Sequence, residues 1–389
     1  MFSSRLPGDL SPNALARLRA SSAEVPYDLT ASDPTRSGVA YPAGLLAPLA
    51  DPRGLRYRPD PLGLVEARQA VARIYTARGL AVDPERVVLT ASSSEAYSLL
   101  FKVLGDPGDA VLLPQPSYPL FAHLAALDGL QARPYRLVPE DGWQPDCTEP
   151  FDPRARLLLV VHPNNPTGTF VAPEVLAALD RRCAAADVAL VVDEVFLDYP
   201  LDGTPRRSAL AGSHDALTFV LGGLSKSCGL PQLKLSWVVL AGPTDRVERA
   251  VERLEFAADQ YLSVATPVQL ALPRLLTAGA EVRHALAERC HANLATLRER
   301  VARRSIVSLV VPEGGWSAVL RLPASVDEER FACDLLEHHG VAVHPGAPFG
   351  FPRPGYFVLS LLPRPEIFAA GIERLLTAAA GALADPGCN

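Results

Sequence analysis

The sequence predicts an α/β fold: a large domain in which helices flank a mostly parallel sheet, and a smaller α+β domain. Three observations support this prediction. Short apolar runs alternate with amphipathic stretches from about residue 85 to residue 240, as in βαβ units. Most of these runs are continuously apolar, which is typical of strands covered on both faces. The rest of the chain combines a long stretch of helical periodicity with short strand-like pieces.

The predicted elements of the large domain follow in chain order. The candidate strands are residues 87–90, 110–113, 157–161, 188–192, 217–221 and 237–241. The candidate helices between them include residues 93–104, 118–127 and 173–186. Because strands and helices alternate, we expect a doubly wound sheet.

The remaining elements predict the small domain. Helical periodicity runs from residue 244 to about residue 303, with Pro267 and Pro273 as helix starts or kinks. Strand-like pieces follow at 306–311, 317–322, 341–344 and 356–361, before a final helix near 366–383. We expect residues 1–40 to form an arm that packs with the small domain. The large domain would then comprise residues 41–280 and the small domain residues 281–389.

Composition and charge exclude several classes of partner. The 389 residues are 48% hydrophobic and 21% charged, so a sizeable core can be buried. The net charge is −6 and no Lys/Arg-rich run occurs, which argues against nucleic acid and anionic membranes. The first ten residues lack the apolar segment of a signal peptide, and no run of 18 apolar residues occurs. We therefore expect a soluble cytoplasmic protein.

Cysteine and lysine usage is also informative. Six cysteines are scattered without Cys-x-x-Cys spacing, so we expect isolated reduced thiols and no metal site; they are Cys147, Cys183, Cys228, Cys290, Cys333 and Cys388. Of the 37 basic residues only three are lysines, namely Lys102, Lys226 and Lys234. Two of these lie eight residues apart, which is consistent with a requirement for a primary amine in that region.

Polar residues follow the carboxyl ends of four predicted strands, where ligands bind in open α/β sheets. These residues are 91–95 (ASSSE), 162–168 (HPNNPTG), 193–194 (DE) and 222–226 (GGLSK). Ser92 and Glu95 form a capping box pattern, and the same helix start is suited to binding a phosphate. The amide of Asn165 is a candidate hydrogen-bond donor. Asp193 ends a buried strand, so it needs an arginine or a protonated ligand nitrogen as its partner.

Lys226 is the candidate nucleophile. The segment 222–227 (GGLSKS) resembles the end of a P-loop, but Ser225 replaces the required glycine and no G-x-x-x-x-G-K frame exists. The G-x-S-x-G and Ser-x-x-Lys patterns also fail, because Ser227 and Gly223 stand at the deciding positions. An amine on such a loop is suited to forming a Schiff base, and the alternative is a solvated surface lysine.

Together these segments resemble the fold-type I pyridoxal-phosphate enzymes, specifically the class I/II aminotransferases. The resemblance covers nearly the whole chain, in the same order and spacing. It rests on residues 57–63 (YRPDPLG), 90–96 (TASSSEA), 116–119 (PSYP), 162–168, 193–196 (DEVF) and 224–226, with Lys234 eight residues after Lys226. It implies a seven-stranded sheet in a cofactor-binding large domain, and a homodimer with its active sites at the interface.

The resemblance also implies a role for each matching residue. Lys226 would hold pyridoxal 5′-phosphate as a Schiff base and move the substrate Cα proton, while Asp193 would pair with the pyridinium nitrogen. Asn165 would donate to the phenolic oxygen, and Tyr118 would stack on the ring. The phosphate would be bound by Ser93, Ser94, Ser225 and Lys234, and by Tyr57 of the neighbouring subunit. Gly38 falls where the N-terminal segment of the family lines the substrate pocket.

Three residues depart from the family pattern. Phe196 stands where a tyrosine is usual, and Lys234 replaces an arginine. Val358 stands where an arginine usually binds the substrate α-carboxylate through a bidentate pair. Either another arginine takes this role, for which Arg364 is a better candidate than Arg353, or the substrate presents no α-carboxylate there.

Three functions are therefore compared. The first is an aminotransferase that moves an amino group between an amino acid or amine and a 2-oxo acid. The second is another reaction on the same scaffold, such as decarboxylation, elimination, cyclisation or oxidation, and Val358 is the reason to consider it. The third, a cofactor-binding regulator, ranks low because only about forty residues precede the large domain, with no helix-turn-helix pattern, and because the net charge of the chain is negative.

Overall fold

The computed structural model describes residues 2–22, 24–303 and 306–384, so Cys388 lies outside the described residues. Its α-helices are α1 (Ala14–Ser21), α2 (Val65–Thr76), α3 (Ser93–Leu104), α4 (Leu120–Leu127), α5 (Pro173–Ala186), α6 (Leu224–Ser227), α7 (Thr244–Asp259), α8 (Thr266–Ala302), α9 (Glu328–His339) and α10 (Pro365–Ala384). Its strands are β1 (Tyr27–Asp28), β2 (Val87–Thr90), β3 (Ala110–Gln115), β4 (Gln131–Val138), β5 (Gln144–Pro145), β6 (Ala155–Val161), β7 (Ala189–Asp193), β8 (Thr218–Gly223), β9 (Ser236–Ala241), β10 (Ser308–Val310), β11 (Ser317–Arg321), β12 (Val341–Ala342), β13 (His344–Pro345) and β14 (Tyr356–Ser360).

The large sheet has the order β2-β9-β8-β7-β6-β3-β4-β5. Neighbouring strands from β8 to β4 are parallel, whereas β9 is antiparallel to both of its neighbours and β5 is antiparallel to β4. The predicted α/β class and the mostly parallel sheet are therefore confirmed. The strand β5 has only two residues and is added at the edge to the seven longer strands.

The sequence analysis missed β4 among the candidate strands. Its side chains are mostly exposed or half-buried, unlike those of the fully buried β2 and β7, and Pro134 interrupts its pattern. A strand near the edge of a sheet can keep such polar residues, because one of its faces meets solvent. The apolar-run criterion that finds the central strands therefore does not apply to β4.

Helices cover both faces of the large sheet. On one face, α3 and α7 pack their buried side chains, including Leu100 and Leu254, against Val88 and Leu221 of the sheet. On the other face, Leu179 of α5 belongs to a separate cluster of buried apolar side chains from β6, β7 and β8. Removing this apolar surface from water is the main force that fixes the layers.

The small domain contains the antiparallel sheet β10-β11-β14-β13 and the helices α9 and α10. The arm joins it through β1, which pairs in parallel with β12. Pro267 lies in the first turn of α8, while Pro273 lies inside that helix without ending it. Because α8 has 37 residues and runs through residue 280, the division of the chain into domains at that position stays a prediction.

Two side chains of α8 bind the backbone of the arm and of the segment between β14 and α10. The Nη1 atom of Arg289 donates to the carbonyl oxygen of Ser37 at 2.9 Å and to that of Leu362 at 3.2 Å. The amide of Asn293 donates to the carbonyl oxygens of Leu361 and Pro363, both at 2.8 Å. These bonds hold the arm beside the start of α10.

Within the described part of the chain, no helix is long and apolar enough to cross a membrane. The same residues contain no cluster of three or more histidine, cysteine or acidic side chains that could hold a metal ion. Five of the six cysteines fall in the described ranges, and all five are free thiols.

Candidate active site

The carboxyl ends of β6, β7 and β8 meet at one edge of the large sheet. The register pairs Val161 with Asp193 and Asp193 with Leu221. The segment that contains Asn165 follows β6, Asp193 is the last residue of β7, and Lys226 lies in α6 directly after β8. The strand order therefore brings these three predicted site residues to the same edge of the sheet.

Lys226 places its amine in largely apolar surroundings. The Nζ atom lies 4.6 Å from the ring centroid of Trp316 and 5.2 Å from that of Phe196. Burial lowers the pKa of Lys226 to about 8, although the charges of Asp193 and Asp33 favour its protonated form. About a tenth of the amine is therefore unprotonated at pH 7, and this is the form that a nucleophile or a proton acceptor requires.

Asp193 is only 5% exposed. Its carboxylate accepts hydrogen bonds from the Tyr97 hydroxyl and from the backbone N–H of Val195, the latter at 2.9 Å. Burial raises the pKa of Asp193, while Tyr97, Val195 and the Lys226 charge act in the opposite direction. Among the described residues no arginine pairs with this carboxylate, so the partner cation expected from the sequence is left to a ligand.

Tyr97 is a site residue that the sequence analysis missed. It lies on the buried face of α3, where a tyrosine resembles any other core aromatic. Its position four residues after Ser93 places it on the same face of the helix as the predicted phosphate-binding start. That spacing is the only signal in the sequence, and it does not identify Asp193 as the partner.

The start of α3 has the predicted cap. The Ser92 side chain accepts a hydrogen bond from the backbone N–H of Glu95 at 3.1 Å. The Glu95 carboxylate accepts from the N–H of Ala91 at 2.6 Å and from the Ser263 hydroxyl at 2.8 Å. The half-buried hydroxyls of Ser93 and Ser94 have no hydrogen-bond partner among the described residues. They are therefore free to bind an anion at a helix N-terminus.

Asn165 and Tyr118 also have groups that are available to a ligand. The carbonyl oxygen of the Asn165 side chain accepts from the Ser317 hydroxyl at 3.4 Å, and its amide nitrogen has no acceptor in the described ranges. Because Ser317 belongs to β11, this bond joins the small domain to the site. Tyr118 is 46% exposed and lies edge-on to Phe121, with the ring centroids 6.3 Å apart. An exposed aromatic ring of this kind can stack on a planar ligand.

Three predicted cofactor ligands form no side-chain hydrogen bond or ion pair within the described chain. Ser225 is half-buried beside Lys226 in α6. Lys234 is exposed, has a left-handed backbone conformation with a φ of 51°, and forms no ion pair within the described chain. Tyr57 is 81% exposed and lies on the surface of the protomer. The roles of these residues stay predictions.

Phe196 and Val358 are two of the residues that depart from the family pattern, and both lie in apolar surroundings. Phe196 packs edge-on against Trp316, with the ring centroids 5.3 Å apart. Val358 is 3% exposed and belongs to a buried apolar cluster with Trp143, Val319 and Tyr356. A substrate carboxylate therefore finds no charged partner at either position.

The arm contacts Arg364, and Tyr41, the residue after the arm, contacts the segment that follows Lys226. The Tyr41 hydroxyl donates to the carbonyl oxygen of Gly229 at 2.6 Å, three residues after Lys226. Gly38 has a φ of +77°, and a Cβ built on it would lie 2.7 Å from the Nε atom of Arg364. Arg364 is exposed and has no ion pair among the residues that the structure describes.

These groups fit pyridoxal 5′-phosphate. The unpartnered hydroxyls at the start of α3 match a phosphate, and the free amide of Asn165 matches a phenolic oxygen. The buried Asp193 carboxylate, which has neutral donors but no arginine, matches a protonated ring nitrogen. The desolvated amine of Lys226 is suited to attack the carbonyl carbon of the cofactor.

Comparison with known proteins agrees with this chemistry. The family model for aminotransferase class I and II matches residues 33–367. A valine–pyruvate aminotransferase from Mycobacterium tuberculosis is 32% identical over 76% of this chain and 76% of that protein. An alanine aminotransferase from the same species is 29% identical over 81% of this chain and 76% of that protein.

Solved structures give the same result. An aspartate aminotransferase double mutant from Thermus thermophilus is 26% identical, with a TM-score of 0.84, and the match covers 97% of this chain and 99% of that one. An alanine aminotransferase from Pyrococcus furiosus shares the fold, at 24% identity, with a TM-score of 0.86 and coverage of 94% and 95%. The half-buried lysine and the buried carboxylate lie at one sheet edge, and the family model matches residues 33–367, so this chain belongs to the class I and II aminotransferases.

Proposed function

We propose that this aminotransferase uses pyridoxal 5′-phosphate to move an amino group between an α-amino acid and a 2-oxo acid, with Lys226 as the covalent attachment point. The observation that carries the proposal is the desolvated amine of Lys226, with a pKa of about 8, at the same sheet edge as the buried Asp193 carboxylate. When bound, the cofactor supplies an electron sink for charge that develops at the substrate Cα.

The residues of the site would hold and orient that group. Asp193 would keep the ring nitrogen protonated, Asn165 would donate to the phenolic oxygen, and Tyr118 would cover one face of the ring. The phosphate ligands would be Ser93, Ser94, Ser225 and Lys234. The free hydroxyls of the first two serines and the unpaired charge of Lys234 support this assignment.

Lys226 would also transfer the proton. Once its side chain is free, Nζ can accept the proton from the substrate Cα and return a proton in the reverse half of the reaction. The rings of Phe196 and Trp316 lie next to Nζ, 5.2 and 4.6 Å from it, and reduce its contact with water. A desolvated amine keeps its pKa close to working pH, which suits a group that must both accept and donate.

The substrates are proposed from the arm and from the relatives. Arg364 beside Gly38 would bind the α-carboxylate, since Val358 is buried in an apolar cluster. The relatives from M. tuberculosis are named for valine with pyruvate and for alanine. We therefore propose that the amino donor of this enzyme is a small neutral α-amino acid and that the acceptor is a 2-oxo acid.

We further propose a homodimer in the cytoplasm, with Tyr57 reaching the phosphate in the partner subunit's site. The exposed ring of Tyr57, next to the 90% exposed Leu55, supports an interface at this surface. Light scattering of the purified protein would give the oligomeric state.

The test of the proposed function combines turnover with chemical trapping. The purified protein is incubated with pyridoxal 5′-phosphate, a panel of amino acids and amines, and pyruvate or 2-oxoglutarate, and the new amino acid is measured. Borohydride reduction and peptide mapping should place the cofactor on Lys226, with the exposed Lys102 as an internal control. A label on Lys102 or Lys234, or release of ammonia or carbon dioxide in place of amino transfer, would contradict the proposal.

A further inference from the structure

Tyr97 contacts the buried Asp193 carboxylate of the proposed cofactor site. Its hydroxyl donates to Oδ2 of Asp193, while Oδ1 of the same carboxylate accepts from the N–H of Val195. Burial, and then the charge of Asp193, raise the pKa of Tyr97 well above its ordinary value. The phenol therefore keeps its proton and is the donor of the pair.

The ring of Tyr97 cannot easily turn away. It is buried, stacks on Phe101 with ring centroids 6.2 Å apart, and meets the edge of Phe121 with centroids 5.2 Å apart. Ser93, which lies one helical turn earlier on α3, is at the proposed phosphate site. A single rigid helix thus sets the distance between the phosphate ligands and the hydrogen bond to Asp193.

The Tyr97 hydroxyl is a neutral donor, and this affects the charge of the Asp193 carboxylate. An arginine at this position would neutralise the carboxylate, whereas a neutral O–H group stabilises the anion and leaves its negative charge in place. That charge is what a protonated ring nitrogen requires, and a buried carboxylate without donors would take up a proton instead. Tyr97 therefore offsets part of the effect of burial on Asp193.

We propose that Tyr97 is a positioning residue that holds the Asp193 carboxylate ionised and aimed at the ring nitrogen of the cofactor. This inference rests on the proposed function. Tyr97 touches neither substrate nor cofactor in this role and acts only through Asp193. Its loss should weaken cofactor binding and change the protonation of the bound cofactor, while the KM for the amino donor stays close to that of the wild type.

The experiment compares Tyr97→Phe with Tyr135→Phe. Tyr135 is a matched control, because its hydroxyl also donates a single bond, to the carbonyl oxygen of Leu159 at 2.8 Å, outside the site. Apoprotein is titrated with pyridoxal 5′-phosphate, and the absorption of the complex is followed against pH. For Tyr97→Phe we expect a dissociation constant for the cofactor about tenfold larger than that of the wild type, and a shift in the pH at which the absorption of the complex changes. We expect neither change for Tyr135→Phe.

The double variant Tyr97→Phe/Asp193→Asn shows whether Tyr97 acts through Asp193. If it does, adding Tyr97→Phe to Asp193→Asn should weaken binding less than twofold further, because the carboxylate it serves is already gone. Additive losses, or wild-type binding and pH profile in Tyr97→Phe, would overturn the inference. Failure of the proposed function itself looks different, since the wild type would then neither bind the cofactor at Lys226 nor transfer amino groups.

If Tyr97→Phe does not fold, 3-fluorotyrosine can be placed at position 97. Its hydroxyl is a stronger hydrogen-bond donor, so the absorption change of the complex should shift along the pH axis in the direction opposite to that caused by loss of the donor. An unchanged pH profile would overturn the inference.

Discussion

Gly38 and Arg364 are in direct contact, with the guanidinium group occupying the space where any other residue at position 38 would place its Cβ. The contact joins the arm to the start of α10, two segments more than 300 residues apart in the chain. It supports the substitution of Arg364 for the arginine that Val358 replaces, and the first two predictions test it.

Replacing Arg364 should weaken amino-acid binding. A bidentate arginine–carboxylate pair contributes about 1.5–3 kcal/mol, so Arg364→Ala should raise the KM for α-amino acids by about 10- to 100-fold. Arg353→Ala is the control, because Arg353 is also an exposed arginine near β14. Steady-state kinetics with amino acids and their decarboxylated amines are the measurement. An unchanged KM in Arg364→Ala, with a wild type that prefers amines, would identify an amine aminotransferase instead.

Gly38→Ala should impair the same site through a steric contact. The new Cβ would lie 2.7 Å from Nε of Arg364, so the guanidinium must move. Gly44 provides a matched control, since its φ of +76° imposes the same backbone cost of about 1 kcal/mol but no atom lies within 4 Å of an added Cβ. We expect both alanine variants to lose similar stability in thermal unfolding, and only Gly38→Ala to raise the KM. Equal KM values in the two variants would place Arg364 outside the substrate site.

Phe196→Tyr should alter the protonation of the bound cofactor. A phenol at this position could donate to the phenolic oxygen of the cofactor and stabilise its charged form. We therefore expect the absorption change of the holoenzyme to occur at lower pH in the variant. Spectrophotometric pH titration of both proteins is the measurement, and identical curves would mean that residue 196 does not reach the cofactor.

The rate at which the apoprotein attaches the cofactor covalently should increase with pH. Only the unprotonated amine of Lys226 attacks a carbonyl, and its pKa is about 8 because of burial. The second-order rate constant of holoenzyme formation should rise about tenfold per pH unit well below 8 and level off above it. Stopped-flow absorbance measures the rate. A rise that continues to pH 10 would indicate an ordinary, solvated lysine.

Glu194 should make the stability of the apoprotein depend on pH. Its carboxylate accepts from the Ser208 hydroxyl at 2.7 Å and from the N–H of Ala209, but burial raises its pKa from 4.5 to about 7. Its contribution to stability is complete below pH 4.5, where both states are protonated, and is lost as the pH rises to 7. The loss is about 3 kcal/mol.

Glu194→Gln should lack this particular pH dependence. Urea unfolding from pH 4.5 to pH 8 should therefore show the stability of the variant rising relative to that of the wild type, by up to about 3 kcal/mol. Parallel curves for the two proteins would mean that Glu194 titrates near its ordinary pKa in the folded state.

The sequence predicted the central layers of this fold well, because those strands are buried on both faces and read as continuous apolar runs. The helices α3 and α5 have the predicted bounds. By contrast, β4 was missed, since an exposed strand near an edge has no such run. Pro267 lies in the first turn of α8, as predicted for a helix start, whereas Pro273 lies inside α8 and is not a start. The helix continues through Pro273 because packing along 37 residues outweighs the loss of one hydrogen bond.

The candidate site was predictable where it follows strand ends. Asn165, Asp193 and Lys226 lie at one sheet edge because the parallel topology brings the carboxyl ends of their strands together. Tyr97 and Trp316 were not predicted, since their contacts with Asp193 and Lys226 join elements that are distant in the chain. Spacing within one element specifies which residues share a face, but it does not specify what that face meets.

Arg289 links the arm to the segment before α10. One guanidinium nitrogen binds the carbonyl oxygens of Ser37 and Leu362, so detachment of the arm removes one of its acceptors and separates Gly38 from Arg364. Segments that open together exchange their amide hydrogens together. We therefore expect the backbone amides near residue 38 and near residue 364 to share one opening free energy. Under the proposed role of Arg364, that free energy sets the fraction of molecules able to bind a substrate carboxylate.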